Sequence, residues 1–180
     1  IEERVKELAA HVQGAYRGEP LTVAVVLNGA FIFGADLVRH LAAPVEIVFV
    51  RARSYGDATS PQNAPTIGLP AGTDWTARHV LLVEDIVDTG HTAKAMIDAV
   101  LARGAASVRL CSFLDKPHRR ENDVKVDFRG FVLDGSPFVV GYGLDFAGRY
   151  RNLPFVGVLR PELCQPGSVK KPSAQHPRAP

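Results

Sequence analysis

The sequence predicts an α/β fold, a mostly parallel sheet flanked by helices, and three observations lead there. Two strand, helix, strand units follow one another, over 22–50 and 79–114, and alternation of this kind builds a parallel sheet with helices on its faces. At 180 residues and 46% hydrophobic, the chain has enough apolar material for one compact core and too little length for a second domain of ordinary size. The second unit turns from strand to helix through Asp88-Thr89-Gly90-His91-Thr92, a junction chemistry that such sheets use for ligands.

The opening Ile1-Glu2-Glu3-Arg4-Val5-Lys6-Glu7-Leu8 is charged and amphipathic. Val5, Leu8, Val12 and Tyr16 recur at helical spacing, so the segment reads as a surface helix and not as a signal peptide or membrane span. Thr22 to Leu27 is a short β-rich run. Ile32 to Leu41 follows with Ile32, Ala35, Val38 and Leu41 as its apolar positions, and Val45 to Val50 is β-rich again. The second unit has a strand over His79 to Val83, a helix over Thr92 to Arg103 closed by Gly104, and a strand over Ser107 to Leu114. In that helix Met96, Ile97, Val100 and Leu101 share one predicted face. Later strands are expected around Phe131 to Leu133, Phe138 to Tyr142 and Phe155 to Leu159. Residues 54–76 show no period and contain Pro61, Pro65 and Pro70, which marks a long loop, either a functional lid or a disordered segment. Residues 1–163 are therefore expected to form a single domain, with 164–180, rich in Pro, Lys and Ser, as a disordered tail.

Charge and cysteines narrow the function classes. The formal net charge is +2; Arg160, Lys170, Lys171 and Arg178 against Glu162 give the C-terminal segment +3, so the body carries no basic nucleic-acid footprint. Cys111 in an apolar run and Cys164 in the tail form neither a disulfide framework nor a zinc pattern, and a cytoplasmic protein with two free thiols is expected.

The most informative stretch is Val83-Glu84-Asp85-Ile86-Val87-Asp88-Thr89-Gly90-His91-Thr92. Free N–H groups at a helix start favour a phosphate, Gly90 lets the main chain come close, and Thr89 and Thr92 add hydroxyl donors. Carboxylates repel a phosphate, so Glu84, Asp85 and Asp88 are candidates to accept ribose hydroxyls, hold Mg²⁺ or take a proton. The alternative is a solvated turn with Thr92 as a simple cap. A P-loop is disfavoured, because Ala35-Asp36 stands after Gly29 and Gly34 where Lys-Ser/Thr is required.

Two acids, two apolar residues and Asp-Thr-Gly-x-Thr resemble the phosphoribosyl-diphosphate (PRPP) motif of the type I phosphoribosyltransferases. Further segments resemble that family, in its order and within its hypoxanthine-guanine branch. They are Val25 to Ala30 with Ala35 to Val38, Arg53-Ser54-Tyr55-Gly56, Leu114-Asp115-Lys116-Pro117, and Phe138 to Asp145 with Tyr150 to Pro154.

The resemblance implies the type I fold, with a small hood and a long mobile loop, and transfer of phosphoribose from PRPP to N9 of a 6-oxopurine. It implies Asp88 as catalytic base beside N7, and Glu84, Asp85, Asp88, Thr89, Gly90, His91 and Thr92 around the ribose phosphate. Asn28, Gly29 and Arg151 fall at the pyrophosphate, with a cis peptide between Leu27 and Asn28. Lys116, Phe138 and Val139 fall at the purine, Ser54 and Tyr55 in the lid, and Glu84, Asp85 and Asp145 near Mg²⁺. A homo-oligomer, dimer or tetramer, is implied as well, with PRPP and a purine base as the only other partners and neither nucleic acid nor membrane. The rival readings are a nucleotide sensor on the same fold, which would keep the phosphate turn without the base-side residues, and a xanthine-preferring enzyme.

Overall fold

The computed structural model describes residues 1–42, 44–53 and 65–163. Its elements run α1 (Glu2–Tyr16), β1 (Leu21–Leu27), α2 (Phe31–Arg39), β2 (Val45–Arg53), β3 (Thr66–Gly68), β4 (His79–Val87), α3 (His91–Leu101), β5 (Ser107–Asp115), β6 (Phe128–Val132), β7 (Val139–Val140) and β8 (Gly157–Val158). The main sheet has six strands in the order β3-β2-β1-β4-β5-β6, all parallel except the β2–β3 edge pair. β7 and β8 form a separate antiparallel pair, the small hood. Among the described residues no helix is long and apolar enough to cross a membrane.

The central strands read as near-continuous apolar runs because both their faces are covered. Val23, Ala24, Val80, Leu81, Leu82 and Val83 are all buried. α1 buries Val5, Leu8, Val12 and Tyr16, the spacing expected of it. α2 is turned by one position from expectation: Phe33, Gly34 and Leu37 are buried, and Ala35 is exposed. Gly34 explains the turn. A Cβ there would lie 2.8 Å from a Val25 methyl, so the helix rests on β1 through the one residue that has no side chain. In α3, Met96 and Val100 are buried as expected, while Leu101, at the last turn, points outward.

Two boundaries differ in ways that matter. β4 runs four residues beyond the expected end, to Val87, so Glu84 and Asp85 belong to a strand and not to a loop. Pairing with β5 continues there, Val87 opposite Asp115, and tertiary pairing overrides the acidic composition. Within the expected loop over 54–76, Thr66–Gly68 forms β3 and caps the sheet edge as an antiparallel strand. Ser54 and Tyr55 lie outside the described residues, as does the tail over 164–180.

Strand order also indicates where a ligand belongs. The chain runs from β1 outward to β2 and β3, then returns to β4 on the other side of β1, so the connections diverge between β1 and β4. In open α/β sheets the crevice at the carboxyl ends of such a strand pair is where ligands bind. Here those ends are Leu27-Asn28-Gly29 and the stretch from Glu84 to Asp88.

Candidate active site

At the end of β4 the chain turns through Asp88 and Thr89 into Gly90, which caps α3 at φ 89°. Glu84, Asp88, Thr89, Gly90 and Thr92 line one cavity of about 140 Å³ together with Ile86, Val87 and Ala93. Free N–H groups of the first turn of α3 open there, as a phosphate site requires. A larger apolar cavity of about 260 Å³, lined by Val12, Tyr16, Leu21, Leu41 and Val45 among others, lies by the starts of β1 and β2 at the other end of the sheet and gathers no set of convergent polar groups.

The turn is braced from behind by residues 116–122, which follow β5. Lys116 N donates to Val87 O at 3.0 Å, Arg120 Nη1 to Asp88 O at 2.8 Å, and Glu121 N and Asn122 N to Thr89 O at 3.0 and 3.2 Å. The carbonyls of the turn are thus occupied on the rear, and its N–H groups are left for the cavity. His91 belongs to this brace: Nε2 is 2.9 Å from Glu121 Oε2 and Nδ1 is 2.9 Å from Asn122 Nδ2. Its ring is committed to neighbouring side chains. Arg120 also pairs with the buried Asp115, and Arg129 Nε lies 2.6 Å from the other oxygen of that carboxylate, an ion pair without hydrogen-bond alignment. Arg120, Glu121, Asn122 and Asp115 were missed in the sequence. A usable signal was there: β4 and β5 end level, so whatever follows Asp115 must meet whatever follows Val87.

At the ends of β4 and β5 the tips of Asp88 and Lys116 lie together. Lys116 Nζ is 3.5 Å from Asp88 Oδ2 and donates to Pro137 O at 3.2 Å, and only 6% of the residue is exposed. Arg119 Nε donates to Asp88 Oδ1 at 3.0 Å, an ion pair that raises the Arg119 guanidinium above its ordinary value. Phe138 is 45% exposed, its ring edge-on to Phe146, so it is not a core filler. Val139 is buried and pairs with Val158 in the hood.

At the end of β1 the Leu27–Asn28 peptide is cis, and Asn28 is exposed. Gly29 is wedged between two parts of the site. A Cβ on it would fall 1.6 Å from Asp85 Oδ2, and one on Gly143 would fall 2.1 Å from Gly29 O. Arg151 reaches the same junction from outside, donating to Gly143 O at 2.6 Å and pairing with Asp145 at 2.7 Å.

Glu84 is 7% exposed, its Oε2 is buried without a hydrogen-bond partner, and burial, then the neighbouring Asp85, pushes its carboxyl well above the usual range. An orphaned buried oxygen beside a second carboxylate is a donor set that a divalent cation satisfies. Among the described residues no three His, Cys, Asp or Glu gather closely enough to hold a metal alone, and Asp145 is paired with Arg151. Mg²⁺ takes one or two protein carboxylates and completes its shell with water and substrate oxygens, so Glu84 and Asp85 fit it as a partial site.

The model of the phosphoribosyl transferase domain matches residues 1–147. The chain belongs to the phosphoribosyl transferase family. It is 41% identical over 164 residues to the hypoxanthine-guanine phosphoribosyltransferase of Bacillus subtilis, covering 91% of this chain and 90% of that one. It is likewise 41% identical to the hypoxanthine phosphoribosyltransferase of Haemophilus influenzae, over 87% and 89% of the two chains. A crystal structure of a hypoxanthine-guanine phosphoribosyltransferase from Bacillus anthracis superposes with a TM-score of 0.83 at 38% identity, covering 88% of this chain and 93% of that one.

Proposed function

We propose that this phosphoribosyltransferase serves purine salvage, moving the phosphoribosyl group of PRPP to N9 of hypoxanthine or guanine and releasing pyrophosphate. The observation that carries the proposal is the pairing of an acceptor, Asp88, with a buried donor, Lys116, 3.5 Å apart above the Gly90 turn. A 6-oxopurine presents O6 beside N7 on one edge, with N7 protonated in the tautomer that leaves N9 free to attack. Lys116 donates to O6 and Asp88 accepts from N7–H.

As N9 bonds to C1′ of the ribose, the C1′–O bond to pyrophosphate breaks and the N7 proton passes to Asp88. Positive charge builds on the purine and the sugar while negative charge leaves with the pyrophosphate, so the donors and acceptors must be in place beforehand. Thr89, Gly90, His91 through its main chain, and Thr92 hold the 5′-phosphate. Asn28 and Gly29 meet the pyrophosphate, and Arg151 keeps that loop in place through Gly143. Glu84 and Asp85 accept the ribose hydroxyls and would hold Mg²⁺, which would supply positive charge to offset that of the departing pyrophosphate. Phe138 stacks on the base, and the Val139 main chain meets its edge.

Pyrophosphate release with a panel of bases, PRPP and Mg²⁺ tests the proposal. Hypoxanthine or guanine is expected to support turnover and adenine to fail, since an amino group facing the Lys116 ammonium leaves two donors opposed. Binding of PRPP without turnover of any base would indicate a sensor. A homo-oligomer working in the cytoplasm is part of the proposal; Ile47 and Phe49, 45% and 54% exposed on β2, offer an apolar face for self-association, which sedimentation measures.

A further inference from the structure

Asp88 faces two cations, and the proposed reaction needs only one of them. Lys116, nearly desolvated, sits 3.5 Å from Oδ2 without closing on it, while Arg119, about half exposed, holds Oδ1 at 3.0 Å. A buried ammonium and a carboxylate this close gain from closing into a direct pair. Closed, they would satisfy each other, and a purine would have to break the pair before using either. Two contacts hold the tips where they stand. Pro137 O accepts a hydrogen bond from Lys116 Nζ at 3.2 Å on the hood side, and the Arg119 guanidinium anchors the carboxylate by its other oxygen. Arg119 is itself placed by the short 3₁₀ turn Pro117–Arg119, whose last N–H donates to Lys116 O at 3.0 Å.

We propose that Arg119 is a positioning residue that holds Asp88 apart from Lys116, so that acceptor and donor stand ready as a pair for the purine edge. The proposal rests on the purine-transfer reading above. A carboxylate accepts several hydrogen bonds, so Arg119 keeps its place while the N7–H of the base approaches Oδ2. An exposed ion pair of this kind contributes little to stability, so its effect falls on base binding and not on folding.

The test compares Arg119→Ala and Arg119→Lys with the wild type, in steady-state kinetics and in titration with IMP. Arg119→Ala is expected to raise KM for hypoxanthine about tenfold, leaving KM for PRPP and the melting temperature near wild type, and Arg119→Lys to recover part of the loss. In an Asp88→Asn background, where no carboxylate remains to close on Lys116, Arg119→Ala should leave IMP affinity unchanged. Unchanged hypoxanthine KM in Arg119→Ala, an equal loss for PRPP, or the same loss of IMP affinity in both backgrounds would overturn the role of Arg119 alone. A wild type inactive with every 6-oxopurine would remove the function together with it.

Discussion

The two ends of the site are built differently. The turn end, from Val87 to His91, lies at the close of the β4–β5 pair and is braced by residues 116–122, which occupy the carbonyls of Val87, Asp88 and Thr89. The hood is a two-residue strand pair with an exposed Phe138, joined to the rest through Tyr142 and Gly143. Tyr142 OH donates to Asp36 Oδ2 at 2.6 Å, and burial, then that bond, drives its phenol above the ordinary range. In the proposed reading the sugar phosphate meets prearranged backbone, and the base meets Asp88 and Lys116 at the ends of β4 and β5 together with Phe138 and Val139 of the hood.

If the division is real, changes at the two ends should separate binding from turnover. The largest effect is expected from Asp88→Asn, which keeps the brace and removes the proton acceptor: kcat falls by about 10² to 10⁴ while PRPP affinity stays, read by turnover beside PRPP titration. Next is Gly143→Ala, which places a methyl 2.1 Å from Gly29 O at φ +100°. It is expected to cost about 1 to 3 kcal/mol in urea unfolding and to weaken pyrophosphate binding as well, because the hood and the Asn28 loop touch there. Tyr142→Phe removes the bond to Asp36 and should cost about 1 to 2 kcal/mol, with a higher KM for the base than for PRPP.

The smallest effect concerns Glu84. Its folded-state carboxyl is raised above the unfolded value, so the stability it contributes is full below the ordinary carboxylate range and declines as pH rises toward the raised value. Without Mg²⁺, wild-type melting should therefore fall across that window. Glu84→Gln should lack that component of the fall, and a slope identical in the two proteins would place the effect elsewhere.

Most of the sheet was legible because its strands are apolar and evenly spaced between helices. Val23 to Val26 and Val80 to Val83 could hardly be anything else. The face of α2 was misread because Gly34 does the packing there, and a residue without a side chain leaves no mark on a hydrophobic period. β3 was hidden in a proline-bearing loop, since three residues are too few to show alternation. In the site, Glu84, Asp88, Thr89, Gly90 and Thr92 were visible as a motif and share one cavity. Arg119 and Asn122 were not, for their partners Asp88 and His91 lie 31 positions earlier and meet them only because β4 and β5 pair. His91 was read as a phosphate ligand, and its side chain is tied into the brace.

The most direct test of the Asp88–Lys116 pair is the ratio of kcat/KM for hypoxanthine to that for adenine in the wild-type protein with saturating PRPP and Mg²⁺. A donor and an acceptor that read O6 beside N7–H predict a ratio on the order of 10⁴. A ratio of no more than about 200, which apolar packing alone can supply, would contradict it.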